Sequence, residues 1–263
     1  MTTLIQVSIY TVLMLYIAGA VLYFTSARPA FLVAAGGCIL NLLALIVRTI
    51  ISGRLPLSSG YEFILSFTFL TVVLYIVFEY KSKVKNAGGV VMVIAAMLIL
   101  SVVIIMKGQF AEVSPLMPAL KSPWLTIHVL TAALAYAGFA LAAGLAVMQL
   151  LKAGPSVQED TVYRIVAAGF VMLSLSIVLG AIWAEQAWGT YWSWDPKEVW
   201  ALVTWIIYAI YLHLHRNRDW RGKNASIIVI AGFVLVLFTF FGVNYLLSGL
   251  HSYAGIIEAV TMG

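Results

Sequence analysis

Charged side chains are scarce in this sequence of 263 residues, in which Asp, Glu, Lys and Arg together make up 10% and hydrophobic residues 63%. A water-soluble globular domain carries roughly 25% charged residues, so the composition excludes that class. The mean hydropathy of +1.04 points the same way. We therefore predict a polytopic membrane protein whose apolar surface is covered by the lipid bilayer.

Cysteine is almost absent as well, because Cys38 is the only one in the chain. A single cysteine excludes a disulfide framework and a redox pair within the chain. Its position inside an apolar run indicates a small buried residue. The sequence also contains no P-loop and no dinucleotide-binding glycine motif. Nucleotide binding through these motifs is therefore not expected.

Long apolar runs dominate what the sequence does contain, and each has about 18 residues or more, enough for a helix that crosses a bilayer. They fall at about 3–25, 31–52, 62–80, 87–106, 124–151, 163–184, 198–215 and 225–247. The first lacks a basic start and a small-residue cleavage site, which indicates a retained helix and not a signal peptide. The predicted fold is all-α, a polytopic membrane protein with about eight transmembrane helices that forms a single membrane domain over residues 1–263.

Basic residues are distributed unequally between the two sets of loops. Alternating the loops gives one side ten of the 15 Lys and Arg residues and the other side five, namely Arg48, Arg54, Lys107, Lys121 and Lys197. Because basic loops stay in the cytoplasm, both termini are predicted to face outward, to the periplasm in a bacterium. Orientation also accounts for the net charge of +5, so nucleic-acid binding is not expected.

Tryptophan is concentrated in one outer loop, at about 183–200. Five of the eight tryptophans fall within eighteen residues, namely Trp183, Trp188, Trp192, Trp194 and Trp200. A tryptophan belt at the membrane surface would be spread over many helix ends. We therefore interpret the cluster as a binding surface for a flat aromatic ligand, because indoles offer stacking faces and N–H donors.

Two further stretches at the outer side carry helix-start patterns. Asp195, followed by Pro196 and then by Glu198, predicts an N-cap and a capping box at the start of the seventh run. Glu62 lies in the first turn of the third run, after a serine cap. Arg48, near the outer end of the second run, is interpreted as a side chain that snorkels to the interface without an ion pair.

Four histidines complete the candidate residues. His128 lies about one turn inside the outer end of the fifth run, and His251 follows the last run at the outer surface. Helix rise places His213 about 22 Å below Glu198. His213 and His215 point roughly 200° away from one another, so they cannot easily share one ligand and one of them is expected to be peripheral. Taken alone, each histidine has a plain alternative as a packing or surface residue.

Together these segments resemble the CcsA/ResC family of cytochrome c synthesis. The run WGTYWSWDPKEVWALVTWIIYAIYLHLH at 188–215 is similar to the tryptophan-rich "WWD" motif of haem-handling membrane proteins, which CcmC and CcmF share. Further matches are GRLPLSSGYE at 53–62, the W-L-x-x-H-V segment around His128, and GLHSY around His251. The resemblance covers about residues 53–255.

The resemblance implies a ligand and a reaction. Haem b would be held at the outer face by His128 and His251, with His213 at an earlier haem site inside the membrane. The implied haem-contacting residues of the loop are Trp183, Trp188, Trp192, Trp194, Asp195 and Trp200. The implied reaction is covalent attachment of haem to the CxxCH cysteines of apocytochrome c. The implied partners are a CcsB/ResB-type membrane subunit and thiol-reducing proteins, in the bacterial inner membrane or, for a plastid protein, the thylakoid membrane.

Three alternatives share part of this pattern. A CcmC-like haem carrier would pass haem on without forming thioether bonds. A respiratory subunit with permanent haem would normally need two histidine pairs at two depths, which four histidines arranged in this way do not easily supply. A HemX-like regulator would share the hydrophobic layout but should lack the complete tryptophan motif.

Overall fold

Helices make up the described part of the chain. The structure is a computed structural model that describes residues 2–82, 84–85, 87–110, 118–151, 159–217, 220–247 and 249–250. Its long helices are α1 (Thr2–Phe24), α2 (Ala30–Ser52), α3 (Gly60–Ser82), α4 (Gly88–Ile105), α5 (Pro123–Leu151), α6 (Glu159–Trp188), α7 (Pro196–Leu214) and α8 (Lys223–Leu237). A π-helical turn, Phe238–Gly242, joins α8 to the short α9, Val243–Leu246. The all-α prediction is confirmed.

Seven spans of the described chain are long and apolar enough to cross a membrane: α1 to α6, and α8 together with its extension to Leu246. Their outer faces carry large apolar side chains that would be unfavourable in water, such as Leu32 and Ile50, which are 71% and 73% exposed. A surface of this kind requires lipid around it. The chain is a multi-pass membrane protein.

Helix α7 is outside this group of seven, since its first turn carries Lys197 and Glu198. It nevertheless runs beside α6 from one end of the bundle to the other. Seven residues connect the end of α6 to the start of α7. At the other end of α7, His215 follows the last helical residue and lies 3.4 Å from Asp160, in the first turn of α6. The 19 residues of α7 rise about 28 Å, close to the thickness of a bilayer core. The expectation of about eight long helices is therefore confirmed, and seven of those described are apolar enough to be candidate membrane spans.

Helix α5 lies at the centre and packs against α3, α4, α6 and α8. Its C-terminal half is rich in alanine and glycine, and nearly all of residues 133–148 are buried. Small side chains let membrane helices approach closely. A β-carbon on Gly138 would lie only 3.6 Å from the α-carbon of Gly169 on α6. Phe139 stacks on Tyr208 of α7 with ring centroids 3.7 Å apart, which fixes α7 against α5.

A buried ion-pair cluster joins α2 to the start of α3. Glu62 accepts hydrogen bonds from Arg48 Nε and Arg54 Nη1, both at 2.8 Å, and from the backbone N–H groups of Ser58 and Ser59. Arg48 is 2% exposed. The interpretation that Arg48 snorkels without a partner is therefore wrong. The carboxylate of Glu62 offsets the cost of burying this charge, and a charge without a partner would have to reach water.

Removing the shared carboxylate should destabilise the fold. We expect Glu62→Ala to lower the free energy of unfolding by about 3–5 kcal/mol, because it leaves Arg48 buried without its partner. The double variant Arg48→Met/Glu62→Leu should recover most of this loss, since it removes both charges. Unfolding in a denaturing-detergent titration measures both effects. A double variant as unstable as the single one would contradict the ion-pair explanation.

Candidate functional site

A cavity of about 310 Å³ lies at the end of the bundle where α3, α5 and α7 begin and α6 ends. It is partly open to the surface, and its walls are mainly apolar. The polar and aromatic residues that line it are Ser58, Ser59, Phe63, His128, Tyr136, Ser176, Trp183, Tyr191, Trp192, Lys197, Glu198, Thr239, Phe240 and Asn244. A few polar groups in an apolar concave wall are typical of a ligand site.

His128 is held in the wall of this cavity by α6. Its Nδ1 lies 2.7 Å from the backbone carbonyl oxygen of Ser176. A carbonyl can only accept, so the proton is on Nδ1 and the lone pair of the neutral ring is on Nε2. This arrangement is usual for a metal-binding imidazole, in which one ring nitrogen donates to the protein and the other binds the metal.

Gly180 makes this position of the imidazole possible. A β-carbon at Gly180 would lie 2.8 Å from both Cε1 and Nδ1 of His128. That separation is too short for real atoms, so any larger residue would displace the ring. Gly180 is one turn along α6 from Ser176, whose carbonyl accepts the imidazole proton. The small residue therefore lets His128 reach the helix backbone.

Trp183 forms the wall next to His128. It is 5% exposed, and its ring lies nearly parallel to the imidazole, with centroids 6.5 Å apart. Its Nε1–H donates to the carbonyl oxygen of Ala119 at 2.8 Å, which ties the segment before α5 to the end of α6. Trp188 packs edge-on against Trp183 at 4.8 Å, in a layer behind the wall.

The other tryptophans of the loop occupy different environments. Trp192 lines the cavity, and Trp194 packs edge-on against it with centroids 5.8 Å apart. Trp194 is itself 70% exposed and has a positive φ of 58°, which is uncommon for a residue other than glycine. Trp200 packs against Phe238 at 4.5 Å. Of the five predicted indoles, the structure therefore brings Trp183 and Trp192 together in the cavity wall.

Asp195 connects the loop to two other segments. One carboxylate oxygen, Oδ2, accepts from the backbone N–H of Lys197 at 3.0 Å, and Glu198 completes the capping box. This confirms the predicted start of α7. The other oxygen, Oδ1, accepts from the backbone N–H of Leu250 at 2.6 Å. Leu250 directly precedes His251, which lies outside the described residues, so Asp195 anchors the chain immediately before that histidine.

Two polar residues of the cavity were not singled out from the sequence. Lys197 Nζ donates to Asn244 Oδ1 at 3.1 Å, and the ammonium lies 5.9 Å from the centroid of the Phe240 ring. The π-helical turn before α9 bears on this contact, because it changes the register of the last span just ahead of Asn244. Two features of the sequence could have indicated these residues: a lysine lies inside the tryptophan-rich motif, and an asparagine lies inside an apolar run.

The two remaining histidines lie at the opposite end of α7. His213 is exposed on the outside of the bundle. His215 is 5% exposed, with its ring stacked on Tyr163 at 4.7 Å. One histidine of the pair is peripheral, as expected, but it is His213, because the side chain of His215 turns inward onto α6. The two rings do lie on different sides of the chain, as helix geometry predicted.

A family model described as "Cytochrome C assembly protein" matches residues 57–251, a range that includes all four candidate histidines and the tryptophan-rich loop. The chain belongs to this family. Two curated relatives are named cytochrome c biogenesis protein CcsA. The one from Guillardia theta is 32% identical, over 88% of this chain and 89% of its own, and the one from Chlamydomonas reinhardtii is 35% identical, over 86% and 68%. The family resemblance expected from the motifs is confirmed.

A solved structure has the same fold at greater evolutionary distance. It is titled "Cytochrome c Heme Lyase CcmF" and is 18% identical, with a TM-score of 0.66 over 100% of this chain and 49% of its own. The cytochrome c assembly fold therefore extends to a chain about twice as long. At this identity the likeness establishes the arrangement of helices alone.

Asp195 substitutions should separate its two hydrogen bonds. Asp195→Ala removes both acceptors, and we expect a loss of about 0.5–2 kcal/mol from the helix cap alone. Asp195→Asn keeps one carbonyl oxygen and caps about as well, so it should be milder. Unfolding midpoints measure stability, and hydrogen–deuterium exchange at Leu250 reports the second bond.

Glu198→Ala is the matched control for this comparison. It removes the other half of the capping box and should weaken the start of α7, but it leaves Asp195 Oδ1 in place. Exchange at Leu250 should therefore be faster in Asp195→Ala and unchanged in Glu198→Ala. Equal behaviour of Asp195→Asn and Asp195→Ala would contradict the role of Asp195 as a helix cap.

Proposed function

We propose that this chain binds haem b in the cavity and attaches it covalently to the CxxCH cysteines of apocytochrome c, together with a CcsB/ResB-type membrane subunit. The observation that carries the proposal is the His128 imidazole. Its proton is committed to the Ser176 carbonyl, and its ring lies in an apolar, aromatic cavity. Membership of the cytochrome c assembly family supports the choice of ligand.

The residues of the cavity suit haem. His128 Nε2 would bind the iron on one side, and His251 would supply the second axial ligand from the segment that Asp195 anchors. Trp183 and Trp192 present aromatic surface to a flat macrocycle. Trp188 and Trp194 would support these two rings from behind, through their edge-on contacts.

In this proposal, the attachment of haem depends more on the orientation of the haem and the thiols than on activation of either. Each cysteine thiol would add across one vinyl double bond of haem: the S–H bond and the C=C π bond break, one S–C bond and one C–H bond form, and there is no net oxidation or reduction. The cysteines would therefore have to arrive reduced, which is the role proposed for thiol-reducing proteins. The chain would contribute by fixing the ligand edge toward the incoming peptide.

His213 belongs to a second, earlier haem site in this proposal. It is about 22 Å from the outer loop by helix rise, too far to bind the same iron as His128. Its exposure on the outside of the bundle favours a site shared with a neighbouring subunit. The cavity end of the bundle, with both termini, would face the periplasm of a bacterium or the thylakoid lumen of a plastid, in agreement with the distribution of basic residues.

Co-expression with a reporter tests the reaction. The chain is expressed beside an apocytochrome that carries CxxCH, with and without its CcsB/ResB-type partner. We expect covalent haem on the reporter, detected after denaturing electrophoresis, when both subunits are present and the reporter cysteines are intact. A chain that retains haem but never modifies the reporter would instead be a CcmC-like carrier.

His213 is tested in the same system. His213→Ala should lower the yield of the covalent product without lowering the amount of inserted protein. His215→Ala should lower protein levels first, because His215 is buried against Tyr163. A normal yield from His213→Ala would remove the inner site from the proposal.

Absorption spectra of the haem-loaded protein test the axial ligands. We expect a six-coordinate, low-spin spectrum that His128→Ala or His251→Ala perturbs and added imidazole partly restores. Gly180→Ala should perturb it too, because the new β-carbon occupies the position of the imidazole. Gly36→Ala is the matched control, since nothing lies within 4 Å of a β-carbon there. Unchanged spectra in both histidine variants would contradict this ligation.

A further inference from the structure

Lys197 places a positive charge in the wall of a mainly apolar cavity. Its side chain donates one hydrogen bond, to Asn244 Oδ1. Within the described ranges no carboxylate forms an ion pair with its ammonium group. An ammonium carries three N–H donors. Two N–H donors therefore remain for another group, and a charge that is only partly exposed to water gains from an acceptor close to it.

Asn244 adds a donor to the same corner. Because Lys197 can only donate, the contact assigns Oδ1 of Asn244 to the lysine and turns Nδ2 away from it. Asn244 is completely buried, and Nδ2 has no hydrogen-bond partner in the described chain. Both residues line the cavity. An amide N–H₂ group left in this state costs stability unless a ligand accepts from it.

The nearest acidic side chains are already committed to backbone donors. The two oxygens of Asp195 accept from the N–H groups of Lys197 and Leu250. Glu198 Oε2 accepts from the N–H groups of Ser193 and Asp195. Asp195 attracts the Lys197 ammonium electrostatically, but neither carboxylate forms an ion pair with it in the described part of the chain. The corner formed by Lys197 and Asn244 therefore still offers donors to an incoming anion.

We infer that Lys197 and Asn244 bind a carboxylate of the ligand that occupies the cavity, which for haem is a propionate. A carboxylate has two oxygens in one plane, so it can accept from the ammonium and from the amide N–H₂ at the same time. It also places a counterion at hydrogen-bond distance, which the Lys197 ammonium does not have among the described residues. This inference rests on the proposed function, and it fixes which edge of the macrocycle faces α7 and α9.

Haem and its dimethyl ester are the probes that test it, because the ester lacks both carboxylates. The purified protein should bind haem more tightly than the ester by about 10- to 100-fold, the effect of one charge-assisted hydrogen bond. Lys197→Met should abolish most of this preference and leave the affinity for the ester unchanged. Lys197→Arg should keep the preference, since it keeps the charge. Asn244→Leu should reduce it in part.

Lys121→Met is the matched control, because Lys121 is an exposed lysine just before α5, next to Leu120 of the cavity wall. It should keep the full preference for haem. Equal binding of haem and ester by the unmodified protein would overturn the inference and leave haem binding intact. Equal weakening of both probes by Lys197→Met would assign the lysine a purely structural role. Binding of neither probe would instead contradict the proposed function itself.

Discussion

Water is absent from the core of a bilayer, so every backbone N–H and C=O group there must be paired within the protein. Helices meet this constraint along their length and fail to meet it at their ends. The cavity lies at such an end, where α3, α5 and α7 begin. A side chain also binds a backbone group near this end, because the His128 imidazole donates to the backbone carbonyl oxygen of Ser176 within α6.

Carboxylates organise the cavity end of the bundle by accepting hydrogen bonds from two backbone N–H groups each. Glu62 joins two arginines to the residues before α3, and Asp195 joins the start of α7 to Leu250. Both acids are buried and satisfied. The rim of the cavity is therefore set by electrostatic contacts, whereas its floor is set by the close packing of α5 with its neighbours. The packed helices thus form a rigid base for the tryptophan-rich loop, whose backbone is irregular.

Helix α7 links the two ends of the molecule. Its first turn supplies Lys197 and Glu198 to the cavity, and its last turn carries His213 on the outside of the bundle. Tyr208 holds the middle of the helix against Phe139 of α5. A ligand at one end and a neighbouring subunit at the other would thus act on a single rigid element. In the proposed function, α7 would therefore link the arrival of haem at one end of the molecule to its attachment at the other.

Hydrophobicity alone determined the class of fold and the approximate position of every span, because crossing a bilayer fixes both the length and the apolarity of a helix. The capping box at Asp195 was equally local, since its partners are three residues away. The contacts of four other residues depend on side chains from other helices. Arg48 pairs with Glu62, His215 stacks on Tyr163, and Lys197 donates to Asn244. Which face of a helix turns inward, and which polar group meets it there, is a property of packing that no stretch of sequence contains by itself.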